Sequence, residues 1–351
     1  MNRTYIRVKL LSRCPAKTWL CQLPLNDPTW GDCYFVFDPD ERDYDWLVVY
    51  DELPFESDPG NHTGFEQLSC SPQNTMLVTT EPCTIKCYNS RYTDQFRWVL
   101  TSQPGWALPH RGRIYSQPAL RWFYGAHLSM GLEKLHGTLS SGKTRVLSTV
   151  SSSKRQRHTL HSRRFKLVQF LKKNLKEIDV FGRGIRPVMD KSEAIDSYKY
   201  HLVVENFIGL HHWTEKLSDA FLGTCLPFYG GCPNAADYFP PKSFIPIDLH
   251  DHKQTERTIT KAIENNEYEV RLPHIKEARR RVLEKYNLFA VISKLIKERH
   301  TSEKAASSPT SISSRRALRK NISVALQDAY AKSTSRFRNW LYKDPSNAKS
   351  E

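Results

Sequence analysis

The stretch SYKYHLVVENFIGLHHWTEKLSDAFLGTCLPFYGG, residues 197–231, decides the fold. Its apolar run YHLVV predicts a strand, Thr214 can cap a helix that starts at Glu215, and a glycine can end that helix before the strand CLPFY. Strand, helix and strand in this order form a βαβ unit, in which the two strands are parallel. Ligands of such sheets bind at the carboxyl ends of the strands. The sequence therefore predicts that Asn206, Glu215 and Lys216 gather at one edge of a sheet.

The same alternation of short apolar runs with helix-length segments continues through most of the chain. It predicts an α/β fold with parallel sheets. Apolar residues at helical spacing predict helices over residues 115–136, 160–175 and 276–300. The predicted strands are YIRVKLL, DWLVVY, NTMLVTT and WVLTS, followed by RVLSTV, EIDVFG, YHLVVEN, CLPFYG and SFIPIDL.

Length and composition predict two domains and a tail. At 351 residues the chain exceeds the usual size of a single core. The Ser/Gly-rich residues 137–144 are typical of a boundary between two sheets. We predict a first domain over residues 1–140, a second over residues 141–300, and a Ser-rich linker with a basic amphipathic tail over residues 301–351.

The tail carries apolar residues at helical spacing among arginines and lysines. This pattern fits either a helix that lies on a membrane surface or a solvated, partly folded segment, and the sequence leaves both open. The Ser/Ala-rich residues 301–314 before it are typical of disorder. The apolar positions are Leu318, Ile322, Leu326, Ala329, Phe337 and Trp340.

Charge is spread unevenly over the chain, whose net charge is +15. Residues 111–176 hold most of the excess, with Glu133 as their one acid, whereas residues 32–58 are acidic around Arg42. Such a separation indicates a face or cleft for an anionic partner, and nucleic acid, a nucleotide and an acidic membrane all fit.

The apolar and cysteine patterns indicate a location. No apolar run approaches 18 residues, so we expect no transmembrane segment, and basic residues within the apolar N-terminal stretch argue against a secretory signal. The eight cysteines include no CxxC pair, which argues against a zinc ribbon. We expect a cytoplasmic protein, with peripheral membrane contact through the tail as an addition.

Three short motifs suggest other chemistry. His211 and Glu215 would share a face on a helix, as two zinc ligands do, but with Thr214 as the cap His211 falls in the preceding loop. GTLSSGKT, residues 137–144, matches the P-loop pattern, yet a P-loop needs a strand before it and a helix after it, and here the predicted order is reversed. FGRG, residues 181–184, fits a phosphate turn that lacks its third glycine or, as we favour, a tight turn at a strand end.

The block of residues 197–248 resembles the donor-binding signature of glycosyltransferase family 10, the α1,3/α1,4-fucosyltransferases. That signature runs Tyr-Lys-Phe, an apolar strand, Glu-Asn, a loop, Thr-Glu-Lys, an apolar helix, a small-residue turn to Pro and a late Ser-Phe-Ile strand. The resemblance extends upstream through STVSSSK, an arginine-bearing helix and DVFGRG, and it covers most of residues 145–250. The corresponding residues are YKY at 198–200, EN at 205–206, TEK at 214–216, LPFYGG at 226–231 and SFI at 243–245.

The resemblance implies a GT-B fold, in which two Rossmann-like domains face each other and the C-terminal one holds GDP-fucose without an obligatory metal or other cofactor. It implies that Glu215 contacts the fucose ring, Lys216 the phosphates, and Asn206 the nucleotide side of the pocket. An arginine on the helix before DVFG also serves the phosphates. Arg164 fits best, and Arg163 is the alternative.

Three further assignments rest on the same resemblance. Tyr198 opens the signature and is assigned to donor binding, and His212, which stands where some family members carry tyrosine, is assigned to the pocket wall. The family places its general base on a Glu-containing segment after an N-terminal strand, and MLVTTEPC puts Glu81 in that setting. A carboxylate there can take the proton of an acceptor hydroxyl, although an acid at a strand end needs no function.

These features predict an inverting fucosyltransferase that moves L-fucose from GDP-β-L-fucose to a hydroxyl of an acceptor glycan, in α1,3 linkage to N-acetylglucosamine or glucose. The donor would bind residues 145–270 and the acceptor residues 1–135. Three alternatives remain. A transferase for another GDP-sugar differs by a hydroxyl or methyl group, a basic nucleic-acid-binding protein leaves the TEK unit unexplained, and an inactive interaction protein could share the fold.

Overall fold

The computed structural model contains two compact units, each built around its own parallel sheet. The first unit combines residues 1–119 with 288–351, and the second comprises residues 120–287. The predicted fold class is confirmed at the level of these units: α/β, with a mainly parallel sheet in each. The structure describes residues 5–54, 64–137, 142–151, 160–302 and 310–341.

The described elements follow the chain as listed next. The strands are β1 Ile6–Leu11, β2 Thr29–Trp30, β3 Cys33–Val36, β4 Trp46–Tyr50, β5 Phe65–Gln67, β6 Thr75–Val78, β7 Trp98–Thr101, β8 Arg113–Tyr115, β9 Arg145–Val150, β10 Ile178–Phe181, β11 Tyr198–Val204, β12 Leu226–Gly230, β13 Ile245–Pro246 and β14 Ser311–Ser313. The helices are α1 Ala16–Leu20, α2 Ser90–Thr93, α3 Leu132–Gly137, α4 His161–Asn174, α5 Glu215–Leu222, α6 His252–Glu264, α7 Glu267–Glu284, α8 Leu288–Arg299, α9 Arg315–Leu318 and α10 Ile322–Leu341.

The sheet of the first unit has the order β2-β3-β1-β4-β6-β7-β8. All neighbouring strands in it are parallel except the β2–β3 pair. Every residue of the central strand β4, WLVVY, is buried. A strand covered on both faces requires such a continuous apolar run, so the sequence of β4 places it at the middle of a parallel sheet.

The sheet of the second unit has the order β10-β9-β11-β12-β13, and all its neighbours are parallel. β11 lies between β9 and β12, and α5 connects β11 to β12, which confirms the predicted βαβ unit. Within β11, His201 belongs to the core. Its Nδ1 lies 2.7 Å from the Ser148 hydroxyl, and burial, assisted by Lys191, lowers the pKa of His201 to about 3.

The predicted helix over residues 115–136 is wrong for most of its length. Only α3 is helical there, and β8 occupies the beginning of the region. Side-chain carboxylates take up the intervening backbone amides: Asp219 accepts those of Phe123 and Tyr124, and Asp190 accepts those of Gly125 and His127. The segment therefore satisfies its backbone donors without helical hydrogen bonds.

The predicted helix over residues 276–300 is two helices, α7 and α8. The break falls at residues 285–287, where the Tyr286 amide donates to the Arg281 carbonyl at 2.8 Å, five residues back. α7 belongs to the second unit and α8 to the first. In α8, Phe289 packs edge-on against Phe35 with ring centres 4.7 Å apart.

The two units therefore divide at 119/120 and 287/288, not at the predicted 140/141 and 300/301. The reason is packing at each junction. Asp190 and Asp219 bind the backbone of residues 123–127 within the second unit, and Phe289 of α8 packs in the core of the first unit.

The C-terminal segment is part of the first unit, not a separate linker and tail. β14 pairs antiparallel with β5, and Ile312 in it is buried. The Arg315 amide donates to Glu52 Oε1 at 2.9 Å, which ties α9 to the residues after β4. The predicted disorder of residues 301–314 is wrong for residues 311–313, which form β14, while residues 303–309 and the Trp340 side chain lie outside the described residues. No described helix is long and apolar enough to cross a membrane.

Candidate functional site

A buried carboxylate, Glu205, follows β11 at its carboxyl end. Its Oε1 accepts the Thr214 amide at 2.9 Å, and its Oε2 accepts the Thr214 hydroxyl at 2.7 Å. Lys216 Nζ lies 3.3 Å from the same Oε2. Glu205 therefore ties the end of β11 to the start of α5.

Glycine after β12 makes room for this carboxylate. A Cβ atom at Gly231 would lie 2.5 Å from Glu205 Cγ and 2.5 Å from the Tyr229 hydroxyl, closer than a real side chain can approach. Only glycine lets the chain pass this close to Glu205. The small-residue turn of the sequence is thus explained by packing around the buried acid.

The first turn of α5 carries the predicted pair of opposite charges. Thr214 caps the helix in an extended conformation, and its Oγ1 accepts the Lys216 amide. Lys216 Nζ folds back and donates to Thr214 Oγ1 and to Glu215 Oε1, both at 3.0 Å. Lys216 thus lies between the buried Glu205 and the half-buried Glu215.

The electrostatics keep this pair ionised. Burial raises the pKa of Glu215, but Lys216 and Lys191 outweigh it and bring that pKa down to about 2. Burial lowers the pKa of Lys216, whereas Glu215 and Glu205 raise it well above its ordinary value. At neutral pH the turn therefore presents a carboxylate and an ammonium group side by side.

Arg164, from α4, joins the same group. Its Nη1 donates to Asn206 Oδ1 at 3.2 Å, and its side chain is almost entirely buried. Arg163 instead contacts His250 Nε2 at 2.8 Å on the surface. The structure thus favours Arg164 over Arg163 as the arginine of the site. Burial lowers the pKa of Arg164, and Glu205 and Glu215 counteract that shift.

The two histidines before α5 lie in a loop, as the Thr214 cap predicts. His211 has a φ of 62°, and its Nδ1 lies 2.5 Å from the Tyr238 hydroxyl. His212 is buried edge-on against Phe207, and burial together with Lys216 lowers the pKa of His212 to about 3, so its ring is neutral. No cluster of three or more metal-ligating side chains occurs among the described residues.

The two glycine motifs have structural roles in the described residues. Lys143 of the P-loop-like motif donates from Nζ to the Gly223 carbonyl at 2.7 Å and to the Ile195 and Asp196 carbonyls. α3 precedes this motif and β9 follows it, the reverse of a P-loop, while residues 138–141 lie outside the described part. In FGRG, Gly182 has a φ of 130° and its amide donates to the Arg186 carbonyl, which makes a tight turn.

The segment that builds this site matches a known family. Residues 140–271 match the family model described as glycosyltransferase family 10 (fucosyltransferase), C-terminal part. This segment is thus similar to glycosyltransferase family 10. The alpha-(1,3)-fucosyltransferase FucT of Helicobacter pylori is 39% identical over 72 residues, which is 20% of this chain and 15% of that protein. The family resemblance stated from the sequence is thereby confirmed for this segment.

Solved structures with a similar course of the chain include glycosyltransferases. One alpha1,3-fucosyltransferase crystal structure is 16% identical and covers 82% of this chain and 92% of its own, with a TM-score of 0.44. Another, titled as a complex with GDP-fucose, is also 16% identical, with coverages of 78% and 83% and a TM-score of 0.44. TarM is 9% identical, with coverages of 74% and 51% and a TM-score of 0.43.

Four predicted donor residues of the family 10 segment lie in one network. Glu215 and Lys216 bond to each other, and Lys216 reaches Glu205, the neighbour of Asn206. Asn206 binds Arg164. His212 lies beside the network, where its ring is affected by both charges of the pair.

Tyr198 does not join that network. It begins β11, and its hydroxyl donates to Asp179 Oδ2 at 2.7 Å and accepts from Arg145 at 3.1 Å. The strand between Tyr198 and Glu205 is seven residues long and spans roughly 20 Å, so the two lie at opposite edges of the sheet. The assignment of Tyr198 to donor binding is corrected: it anchors the amino end of the strand.

Glu81 lies in the first unit, three residues after the end of β6. It follows the carboxyl end of a parallel strand, as predicted, and its carbonyl accepts Gln103 Nε2 at 2.7 Å. The role of its carboxylate as a base stays a prediction.

Three functional candidates escaped the sequence reasoning. Glu205 appears in the signature, but its role as a buried bridge does not follow from the pattern. The sequence feature that could have indicated this role of Glu205 is its position directly after the apolar strand YHLVV. Lys191 and Asp219 are distant in sequence, and nothing in the sequence indicates that they meet at 3.7 Å.

Proposed function

We propose that the protein is an inverting fucosyltransferase that moves L-fucose from GDP-β-L-fucose to a hydroxyl of an acceptor glycan. The network that holds Glu215 and Lys216 side by side at the start of α5 carries the proposal. A helix N-terminus with an adjacent lysine and a buried arginine suits a diphosphate. The match of residues 140–271 to family 10 supports fucose as the sugar.

The chemistry follows from where charge develops. The acceptor oxygen bonds to C1 of fucose while the bond from C1 to the diphosphate oxygen breaks, so a single displacement inverts that carbon. Lys216 and Arg164 offset the negative charge that grows on the departing GDP. Glu215, ionised in the site, offsets the positive charge on the sugar ring. Glu81 is the proposed base that takes the proton of the acceptor hydroxyl.

Two cations and a helix N-terminus supply the charge that a divalent metal provides in other transferases. We therefore propose that transfer requires no metal and no further cofactor. Equal rates with EDTA and with added Mg²⁺ support this proposal, and rates that depend on Mg²⁺ contradict it.

A panel of GDP-sugars tests the donor. Purified protein is incubated with GDP-fucose, GDP-mannose or GDP-glucose, and the released GDP is measured with and without an acceptor-glycan array. We expect GDP release with GDP-fucose and fucose in α1,3 linkage to N-acetylglucosamine or glucose. Preference for another GDP-sugar contradicts the fucose assignment. Salt-sensitive binding of oligonucleotides that GDP does not displace indicates a nucleic-acid-binding protein instead.

We further propose that the protein is cytoplasmic and contacts an anionic membrane surface through α10. One face of α10 exposes Ile322, Leu326, Tyr330 and Phe337, which are 59–77% accessible. The opposite face buries Val324. Residues 311–341 hold seven arginines and lysines against one aspartate, which suits anionic headgroups.

Flotation with vesicles tests this contact. The variant Ile322→Ser/Leu326→Ser/Phe337→Ser removes apolar side chains that the fold leaves exposed, and Val270→Ser, 70% exposed on α7, is the matched control. We expect the control to float with phosphatidylglycerol vesicles as wild type does. The triple variant should remain in the bottom fraction of the gradient, unbound to vesicles. Equal flotation of both variants contradicts the membrane contact.

A further inference from the structure

Lys191 is a cation of the second unit that neither the signature nor the proposed chemistry uses. It opens the 3-10 helix Lys191–Ala194, which Asp190 caps with its side chain. The capping box with Glu193 fixes this turn, so the backbone of Lys191 is held firmly. Its side chain is 26% exposed and reaches toward α5, where its Nζ lies 3.7 Å from Asp219 Oδ2.

Asp219 lies one helical turn after Glu215, on the same face of α5. Its Oδ1 accepts the amides of Phe123 and Tyr124 at 2.8 and 2.9 Å, which fixes the orientation of the carboxylate. Its Oδ2 is buried, and no hydrogen-bond donor reaches it among the described residues. Lys191 thus approaches a helix face that carries two carboxylates, Glu215 and Asp219.

We propose that Lys191 is a positioning residue of the transfer reaction, a cation shared by Asp219 and Glu215 that holds the Glu215 carboxylate ready for the sugar. The proposal rests on the proposed function. Glu215 has Lys216 on one side, and Lys216 is itself drawn toward Glu205. Lys191, whose Nζ lies 3.7 Å from Asp219 one turn further along α5, supplies a second positive charge at this helix face.

The other charged groups that act on Glu215 come from every element around it. Lys216 and Lys191 favour its ionised form. The remaining groups that interact electrostatically with Glu215 are Glu205 after β11, Arg164 of α4, His212 of the loop and Asp219 of α5. Removing Lys191 takes away a cation that contacts Asp219 and that is one of the two favouring the ionised form of Glu215, so the Glu215 carboxylate is held less firmly.

The test compares Lys191→Met, Lys191→Arg and wild type in transfer from GDP-fucose between pH 4 and pH 8. Lys294→Met removes an exposed lysine of α8 whose partner Glu298 is also partly exposed, and it serves as control. We expect Lys191→Met to lower kcat and kcat/KM by the same factor, roughly tenfold, across this range, because Glu215 stays ionised and acts on the charge of the transition state. Lys191→Arg should restore most of the rate.

Equal rates for Lys191→Met and the control overturn the inference, as does an arginine variant as impaired as the methionine variant. Thermal melting checks the fold, and Lys191→Gln replaces Lys191→Met if the latter unfolds. A wild-type protein that transfers no sugar from GDP-fucose contradicts the proposed function, whereas an active wild type with an unaffected Lys191→Met contradicts this inference alone.

Discussion

At the scale of single residues, Asp219 makes folding stability depend on pH. Burial raises the pKa of Asp219 from 3.8 to about 6, although Lys191 counteracts it. Because the pKa of Asp219 is higher in the folded than in the unfolded protein, its protonated form stabilises the fold at pH values below 3.8. This contribution to the unfolding free energy is lost as pH rises through about 6. Asp219→Asn, which keeps an oxygen for the two amides, removes the titration. We expect its unfolding free energy to gain about 2 kcal/mol relative to wild type between pH 4 and pH 7.

Urea unfolding at several pH values measures this difference. The exposed Asp40→Asn is the control, and its difference from wild type should stay constant with pH. A constant difference for Asp219→Asn as well would show that Asp219 titrates normally in the folded protein.

At the scale of elements, the residue that caps α5 contributes both to the stability of the fold and to the contacts of the candidate site. The Thr214 hydroxyl caps the helix and also donates to Glu205, which no water reaches. Thr214→Val keeps the shape but removes these two bonds and the bond from Lys216 Nζ, so we expect a loss of about 2 kcal/mol in unfolding free energy. Thr214→Ser retains the hydroxyl and should lose much less. Equal losses in the two variants, measured by urea unfolding, would rule out the hydroxyl as the cause.

The same element shows what the sequence can predict. The cap at Thr214, the start of α5 at Glu215 and the strands on either side follow from local patterns, and the structure has them. The helix predicted over residues 115–136 is mostly absent because Asp190 and Asp219, which lie far along the chain, accept backbone amides there in place of helical hydrogen bonds. The local spacing of apolar residues does not predict hydrogen-bond acceptors from distant parts of the chain. The assignment of Tyr198 to donor binding is wrong for a related reason. A motif does not specify which end of a strand each of its residues occupies.

At the scale of the whole molecule, the C-terminal segment completes the first unit. It buries Ile312 and Val324 and covers Glu52. A chain ending at residue 302 lacks Ile312 and Val324 and leaves Glu52 without its bond from Arg315, so it should melt roughly 10 °C below the full chain. A chain ending at Leu341, the last residue of α10, is the matched control and should melt with the full chain. Identical melting of both truncations would contradict the assignment of this segment to the first unit.

The division into units is also the part of the fold that composition predicted least well. A Ser/Gly-rich stretch indicates a place where the chain can turn, but residues 120–137 fold with the second unit because its aspartates bind their amides. Likewise α8 continues the pattern of α7, yet its Phe289 fills the first unit's core. Unit membership depends on which core receives a side chain, and the sequence pattern of an amphipathic helix does not specify that.

The central claim is that the first turn of α5 holds a sugar nucleotide for transfer. The most direct measurement is the rate of fucose transfer from GDP-fucose by wild type, Glu215→Ala and Lys216→Ala, with Lys294→Ala, an exposed lysine of α8 in the first unit, as control. We predict that both substitutions in α5 lower the rate at least about a thousandfold, since each removes a charge that offsets charge in the transition state. The control should keep the wild-type rate. Wild-type rates in Glu215→Ala or Lys216→Ala would contradict the account.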